Sequence, residues 1–420
     1  MGEYSVDEET TEMSLLTYAG NQDRYAEVHI TICIREQDLN NENDFRTAIV
    51  CQHPLLEVFS ACKIGAVKWL LNEVLYLEAR PVKLVTYCEA FGLQADKQTY
   101  VMHNCAIRNG ERISHSAANV FVDPENMKNS KELPMNECQF PRLLWQPTDR
   151  YGIYQLLEEY LEVMENYQKV NFYRTLLVMG IVIASMSFEQ VVEWMKGFPI
   201  TCLIASEGNL GKTEAVLYCL SLLGFGPRAT FTKNTDAGLW EILGRKFHSL
   251  ASCFDDFVNE GGSFEKMFKQ IFGGQGRVCM GKTRFIQAAL IITLNQSIGA
   301  NKGFGAEQNQ PMTRRTLQFM YIKNADMSDM EPKRAWDNLI KSGRISGLFP
   351  ELTKLGIHKD GDLDKVVLDT EAIEALTVWL MGIFRLKEIQ DTPSLCQNLA
   401  LALYFALQVN NLRPDVDAGR

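Results

Sequence analysis

The sequence predicts an α/β protein in which helices pack against a central sheet and further helical segments lie before and after that sheet in the chain. The first observation is the stretch from Pro199 to about Ile322, where short apolar runs alternate with polar loops and helical patterns. The second is the helical spacing of apolar residues between Tyr151 and Lys196. The third is a return to mostly helical patterns after Asn324.

The order of these patterns divides the 420 residues into four predicted parts. Alternation such as that from Glu27 to Ile32, between turn-rich clusters, is typical of short strands near the N-terminus. Gly197 and Pro199 end the first helical segment. The predicted parts are an N-terminal α+β domain, a helical lead-in, an α/β core and a C-terminal helical region: residues 1–145, 146–197, 198–325 and 326–420.

Composition and charge exclude several classes of protein. With 46% hydrophobic and 22% charged residues, the chain is not wholly disordered, collagenous or coiled-coil. The 42 Lys and Arg residues against 52 Asp and Glu residues leave a net charge of −10. Any contact with nucleic acid therefore requires a local basic patch.

Cysteine spacing and the N-terminus predict a soluble protein that acts inside a cell, in the cytoplasm or nucleus. The eleven cysteines form no C-x-x-C pair and lie in apolar runs, which indicates reduced thiols and argues against a zinc site. The segment from Met1 to Val6 lacks the plan of a signal peptide. The most apolar stretch, Thr175 to Ser187, is shorter than the ~20 residues that a membrane span needs.

A phosphate-binding loop is predicted after the first strand of the core. The apolar run from Thr201 to Ile204 predicts that strand, and Gly211 then opens a helical pattern. In such a loop, backbone N–H groups point at phosphate oxygens, the lysine reaches the terminal phosphates and the threonine hydroxyl binds Mg²⁺. The residues predicted to contact ATP are Ser206, Glu207, Gly208, Asn209, Leu210, Gly211, Lys212, Thr213 and Glu214.

This loop departs from the usual G-x-x-x-x-G-K-[ST] pattern at one position, because Ser206 replaces the first glycine. Serine serves there if its backbone avoids positive φ, and Gly208 supplies flexibility nearby. A Gly-Lys-Thr triplet also occurs by chance, as it does at Gly281. An ordinary helix start is therefore the alternative interpretation of this segment.

Two carboxylates follow the next candidate strand. The run from Leu250 to Phe254 is modestly apolar and ends in Asp255 and Asp256. In P-loop NTPases the acid at the end of the neighbouring strand holds Mg²⁺, and an adjacent acid polarises the attacking water. We therefore predict that Asp255 binds Mg²⁺ together with Thr213, and that Asp256 is the base. A solvated Asp-Asp loop is the alternative.

An asparagine and an arginine pair complete the series. The apolar run from Ala288 to Leu294 is followed by Asn295, whose amide would sense the γ-phosphate and orient water, unless it only shapes a turn. Arg314 and Arg315 would supply an arginine finger to the nucleotide of a neighbouring subunit, unless they are solvated surface residues. The whole series spans about 110 residues, and its order favours one nucleotide site.

These motifs together resemble superfamily 3 helicases, the replication ATPases of small DNA viruses such as the parvovirus large non-structural protein. The resemblance covers roughly residues 199–322. The segment Ile271 to Lys282 looks like the family's Gly-Gly segment, which leads to a hairpin whose lysine grips DNA in a central channel. Gln310 to Arg315 resembles the family's Gln-Pro…Arg stretch, so Arg315 is the better match for the finger and Arg314 the second.

The resemblance implies an AAA+-like P-loop core that hydrolyses ATP with Mg²⁺ between subunits of a ring, expected to be a hexamer, in DNA replication. Its catalytic residues would be Lys212, Asp255, Asp256, Asn295 and Arg315, with Arg314 as the second choice for the finger. Hydrolysis would move the Lys282 hairpin along single-stranded DNA without sequence preference.

The charge distribution is an independent indication of DNA binding. Residues 266–306 contain no Asp or Glu, while six basic residues lie there: Lys266, Lys269, Arg277, Lys282, Arg284 and Lys302. A ring would repeat these charges around its channel, so Arg277, Lys282 and Arg284 are predicted to contact DNA phosphates. Chance clustering on a solvated helix face is the alternative.

Two other functions are compatible with the sequence. A P-loop kinase, or another NTPase without DNA activity, would need a substrate lid and no arginine from a neighbouring subunit. A non-catalytic descendant would bind partners as a scaffold, and Ser206 and the weakly apolar acid strand would then mark lost turnover.

Overall fold

The computed structural model places most of the chain after residue 86. The residues it describes are 10–19, 26–35, 86–88, 90–122, 139–147, 149–205, 210–232, 236–257, 264–275, 277–279, 282–295, 314–324, 330–355, 357–360, 363–366, 368–384 and 392–412. The chain divides into two compact units, Met1–Cys88 with Asn119–Lys128 and Glu89–Ala118 with Asn129–Arg420. The four-part division of the sequence stays a prediction.

The part of the chain that the structure describes contains eighteen strands and ten α-helices. The strands are β1 (Thr10–Ala19), β2 (Ala26–Arg35), β3 (Thr86–Cys88), β4 (Phe91–Leu93), β5 (Thr99–Val101), β6 (Ala106–Arg108), β7 (Glu111–Ile113), β8 (Val120–Val122), β9 (Ile200–Ile204), β10 (Thr230–Thr232), β11 (Phe247–His248), β12 (Ala251–Asp255), β13 (Arg277–Cys279), β14 (Lys282–Arg284), β15 (Ala289–Leu294), β16 (Thr316–Met320), β17 (Ile357–Asp360) and β18 (Leu363–Val366). The α-helices are α1 (Arg150–Gln168), α2 (Phe172–Ala184), α3 (Phe188–Met195), α4 (Lys212–Ser221), α5 (Asp236–Glu241), α6 (Phe264–Phe272), α7 (Glu331–Ser342), α8 (Phe349–Leu352), α9 (Thr370–Phe384) and α10 (Thr392–Gln408).

The described strands of the smaller unit form two pairs. Strands β1 and β2 pair antiparallel along their full length, and β2 contains the alternating stretch from Glu27 to Ile32 that the sequence predicts as a strand. Strands β3 and β8 pair in parallel.

The larger unit contains a five-stranded parallel sheet with the order β10-β12-β15-β9-β16. Every side chain of β9 and β15 is buried, which explains why both strands appear as continuous apolar runs rather than alternating ones. Helices α4, α6 and α10 pack against strands of this sheet. The prediction of an α/β core, in which helices pack against a sheet, is therefore confirmed at the level of fold class.

The direction of the strands determines which polar residues can meet. Because all five strands run the same way, their carboxyl ends lie at one edge of the sheet. Asp255 ends β12 and Asn295 directly follows β15, so both lie at this edge. Arg314 and Arg315 precede the first residue of β16, so they lie at the opposite edge.

A second sheet in the larger unit has the order β11-β4-β5-β6-β7. Its strand β11 comes from the segment between two strands of the parallel sheet, and His248 of β11 is paired with Gly92 of β4. Gly92 is required there, because its φ is +107° and a Cβ would lie 1.9 Å from the His248 carbonyl oxygen.

Hydrogen bonds to Glu189 from His248, at 2.9 Å, and from Lys97 lower the pKa of Glu189 to about 2.

Aromatic packing joins the helical segments to helix α4. The ring of Tyr218 on α4 is stacked between Tyr160 of α1 and Trp336 of α7, with centroid distances of 4.5 and 3.6 Å. All three side chains are fully buried. Helices from before and after the parallel sheet in the chain therefore share one core with the helix that begins at Lys212.

Helix α2 packs closely against α10. At Gly180 a Cβ would lie 1.9 Å from the carbonyl oxygen of Ala402, so only glycine permits this approach.

Within the described residues, one helical run, Arg150–Met195, is long and apolar enough to cross a membrane, and 67% of its most apolar window is buried inside the protein.

The side chain of Asn171 joins the start of α2 to the segment that follows β16. Its Nδ2 donates to the backbone oxygen of Ile322 at 2.8 Å, and its Oδ1 accepts from the Ile322 N–H at 3.1 Å. Asn171 is fully buried, so these bonds satisfy the polar atoms of its own side chain, which water does not reach.

The Asn171→Ala variant should be less stable by about 2 kcal/mol, because it removes both hydrogen bonds that this fully buried amide makes to Ile322. Urea unfolding of the full chain measures this loss as a lower midpoint. Gln155→Ala, at an exposed position of α1, is the control and should change stability by less than about 0.5 kcal/mol. Equal midpoints for Asn171→Ala and wild type would contradict the role given to this side chain.

Candidate functional site

The candidate site begins where helix α4 starts. Gly211 precedes the helix with a φ of +77°, a left-handed conformation that glycine adopts without strain. Lys212 is the first residue of the helix, and its side chain is only 6% exposed. The Lys212 Nζ donates to the backbone oxygen of Leu294 at 2.8 Å and to Oδ1 of Asn295 at 2.7 Å.

A threonine of α4 contacts the acid at the end of β12. The Thr213 hydroxyl donates to Oδ1 of Asp255 at 2.6 Å. The same carboxylate oxygen also accepts a hydrogen bond from the hydroxyl of Thr293 on β15. Asp255 is thus held by hydroxyl groups from two neighbouring elements.

The second acid contacts the asparagine that follows β15. Asn295 Nδ2 donates to Oδ1 of Asp256 at 3.3 Å. Asp256 has a φ of +45°, a left-handed conformation that aspartate tolerates better than most residues. Asn295 therefore bridges the ammonium group of Lys212 and the carboxylate of Asp256.

Among the described residues of the site, the charged side chains in contact are Lys212, Asp255 and Asp256, directly or through Asn295 and Thr213. Burial lowers the pKa of Lys212, and the carboxylates of Asp256 and Asp255 act in the opposite direction. With both carboxylates ionised the three groups carry a net charge of −1. Such a site favours a further cation, and carboxylate and hydroxyl oxygens are ligands that Mg²⁺ accepts.

The structure brings five of the predicted site residues together: Lys212, Thr213, Asp255, Asp256 and Asn295. Leu210 and Gly211 directly precede them, and Glu214 lies in the first turn of α4. Ser206, Glu207, Gly208 and Asn209 lie outside the described residues. The catalytic and binding roles of all these residues stay predictions.

The other predicted residues lie elsewhere. Arg314 and Arg315 precede β16, and the backbone oxygen of Arg314 accepts a hydrogen bond of 3.1 Å from the buried amide of Asn398 on α10. Arg277, Lys282 and Arg284 lie on β13 and β14, which pair as an antiparallel hairpin.

Sequence reasoning missed Thr293, which contacts both acids. Its hydroxyl accepts from the backbone N–H of Asp256 at 3.0 Å while it donates to Asp255. The available signal was a hydroxyl residue within the aliphatic run from Ala288 to Leu294, two positions before Asn295. A fully buried hydroxyl in such a strand requires a partner.

Metal binding at this site would depend on few protein ligands. Among the residues that the structure describes, no group of three or more His, Cys, Asp or Glu side chains is placed to hold a metal ion. Mg²⁺ in nucleotide sites is usually held by one or two carboxylates together with phosphate oxygens, so the sequence prediction of a Thr213–Asp255 pair does not require such a cluster.

Comparison with known proteins shows a shared fold. No family model matches the sequence, and no curated protein matches it. A solved structure described as "SCCmec type IV Cch - active helicase" is similar, with a TM-score of 0.54 and 11% sequence identity. The match covers 99% of this chain and 76% of that chain. At this identity the similarity shows that the chain has a helicase-like fold.

Proposed function

We propose that this protein is an ATP-dependent DNA helicase or translocase of superfamily 3 type, with an AAA+-like P-loop core. The observation that carries the proposal is the convergence of Lys212, Asp255 and Asn295 from three separate segments. They meet at the carboxyl edge of a parallel sheet, where such sheets bind their ligands. The helicase-like fold supports the same proposed function.

In this proposal, the residues around the start of α4 bind Mg·ATP. When ATP binds, the Lys212 ammonium group would give up its hydrogen bonds to Leu294 and Asn295 and bind the terminal phosphates instead. Thr213 and Asp255, whose oxygens lie 2.6 Å apart, supply oxygen ligands for Mg²⁺. When bound, Mg²⁺ would neutralise charge that develops on the phosphate oxygens.

The second acid and the asparagine would act on the attacking water. Asp256 accepts the proton of that water, and Asn295, which already contacts Asp256, orients it. The Asn295 amide also accepts a hydrogen bond from Lys212, so Asn295 would lose this bond when the lysine moves to a phosphate.

The position of the arginine pair supports assembly into a ring. Arg315 precedes β16, at the edge of the sheet opposite Asp255 and Asn295. An arginine placed there serves the nucleotide of an adjacent copy more readily than its own. We therefore propose that Arg315 acts in trans, with Arg314 as the second candidate, in a ring expected to be hexameric.

The hairpin formed by β13 and β14 is the proposed DNA contact. Arg277 and Arg284 lie directly opposite each other in its register, and Lys282 is paired with Cys279. Like charges at opposed positions of a hairpin repel each other, so binding of an anion to this hairpin would relieve that repulsion. DNA phosphate is the anion that we propose, inside a cell and without sequence preference.

The Lys282→Ala variant should lose most of the stimulation of ATP hydrolysis by single-stranded DNA, because one phosphate contact per subunit is removed. The measurement is the ATPase rate with and without DNA at several salt concentrations, and the salt dependence of DNA binding should become weaker. Lys341→Ala, at an exposed position of α7, is the control. Undiminished stimulation of ATP hydrolysis by DNA in Lys282→Ala would show that this hairpin does not mediate the response to DNA.

An unwinding assay on a forked duplex tests the whole function. ATP-dependent strand separation is the expected result. ATP turnover without any response to DNA would favour a small-molecule kinase or other P-loop NTPase. Failure to bind Mg·ATP at millimolar nucleotide in calorimetry would favour a non-catalytic scaffold.

A further inference from the structure

Thr293 lies between the two acids of the candidate site. It is fully buried on β15, in a strand whose other side chains are aliphatic. Its hydroxyl donates to Oδ1 of Asp255 and accepts from the backbone N–H of Asp256 at 3.0 Å. One hydroxyl group therefore fixes a carboxylate of one acid and the backbone of the next.

The backbone of Thr293 also holds the turn that follows β12. Its carbonyl oxygen accepts from the N–H of Phe257 at 3.0 Å. Between these bonds lies Asp256, whose φ of +45° is a left-handed conformation. Consecutive N–H groups of this turn are thus bound to the side chain and the main chain of one residue, which keeps Asp256 in a conformation that most residues avoid.

The orientation of the acids depends on these bonds. Asp255 Oδ1 accepts from both Thr213 and Thr293, and these two donors come from different elements. Within the part of the chain that the structure describes, loss of the Thr293 hydroxyl would leave the Asp255 side chain with the hydrogen bond from Thr213, and that threonine is itself a proposed Mg²⁺ ligand. The carboxylate would then be free to turn with Thr213 instead of offering a fixed oxygen.

We propose that Thr293 is a positioning residue for hydrolysis, which sets Asp255 to receive Mg²⁺ and sets Asp256 to receive the proton of the attacking water. The inference rests on the proposed function, since it assigns the acids their roles. It also assigns the geometry of both acids to one further residue, Thr293 on the neighbouring strand β15.

The test compares Thr293→Val, which keeps the branched shape but removes the hydroxyl, with Thr293→Ser, which keeps the hydroxyl but removes the methyl group. In the full chain with saturating DNA, Thr293→Val should lower kcat by about 10²-fold, with the KM for ATP changed much less. It should also raise the Mg²⁺ concentration needed for half-maximal rate. Thr293→Ser should restore kcat and the Mg²⁺ dependence.

Stability separates this role from a structural one. Thr293→Ser loses buried methyl packing, so its urea midpoint should fall although its kcat is restored. A kcat that follows the urea midpoint across the two variants, or a wild-type kcat in Thr293→Val, would overturn the positioning role. A wild-type chain that does not hydrolyse Mg·ATP would instead overturn the proposed function, and the positioning role with it.

Amide hydrogen exchange is a second measurement that does not depend on turnover. Exchange in the segment from Asp255 to Phe257 should be faster in Thr293→Val than in wild type, and near the wild-type rate in Thr293→Ser. Equal exchange in all three proteins would show that the hydroxyl does not fix the acids, whatever the ATPase rates are.

Discussion

Replacing Lys212 with alanine should reduce ATP hydrolysis by about 10²- to 10³-fold, with DNA binding largely kept. The ammonium group of Lys212 is buried at the carboxyl edge of the sheet, where it donates to Asn295. Its loss removes the charge that would hold the terminal phosphates. The measurement is the steady-state ATPase rate, with binding of single-stranded DNA measured in parallel.

Two controls make the Lys212→Ala result specific. Lys341→Ala removes a lysine from an exposed position of α7 and should leave the rate unchanged. A urea midpoint for Lys212→Ala close to that of wild type excludes unfolding as the cause. A Lys212→Ala protein that hydrolyses ATP at the wild-type rate would show that the catalysed reaction does not use this site.

Replacing Arg315 with alanine should reduce hydrolysis by about 10³-fold or more, the usual effect of removing an arginine finger. The reason is that the guanidinium would stabilise charge on the phosphates only as bond breaking develops, so nucleotide binding should change little. Arg314→Ala is the matched variant one position earlier, and we expect a smaller loss from it. Equal rates for Arg315→Ala and wild type would contradict the assignment.

Mixing the two impaired variants, Lys212→Ala and Arg315→Ala, tests whether Arg315 acts on a neighbouring subunit. Lys212→Ala subunits keep the arginine, and Arg315→Ala subunits keep the lysine. In a mixed ring, some interfaces combine an intact lysine with an intact arginine, so the mixture should be more active than either variant alone. A mixture without recovered activity would mean that lysine and arginine serve the same subunit.

The parallel sheet was predictable because its central strands are buried on both faces. The runs from Thr201 to Ile204 and from Ala288 to Leu294 are continuously apolar, as buried parallel strands require. β12 gave a weaker pattern because it contains small residues, Ala251, Ser252 and Cys253, although all three are buried. Burial in that strand depends on its neighbours, not on its own hydrophobicity.

Contacts between distant segments could not be read from local patterns. The pairing of His248 with Gly92 joins β11 to a small sheet encoded about 150 residues earlier, and no local period of the chain signals such a pairing. The same holds for Asn171, whose side chain recognises the backbone of Ile322. Its sequence neighbourhood indicates only a helical segment.

The candidate site was predictable in part, because parallel strands bring their carboxyl ends together. That rule places Asp255 and Asn295 beside the start of α4, and the contacts of Lys212 and Thr213 agree with it. Thr293 was not predictable, because threonine is common inside strands. Only its hydrogen bonds to both acids distinguish it.

The most direct test is the rate of ATP hydrolysis per subunit by the wild-type chain, measured over a range of protein concentrations with and without single-stranded DNA. If neighbouring copies complete each nucleotide site, the rate per subunit should rise with protein concentration and rise again when DNA is added. Absence of hydrolysis at millimolar Mg·ATP, or a rate per subunit independent of both protein concentration and DNA, would contradict the account.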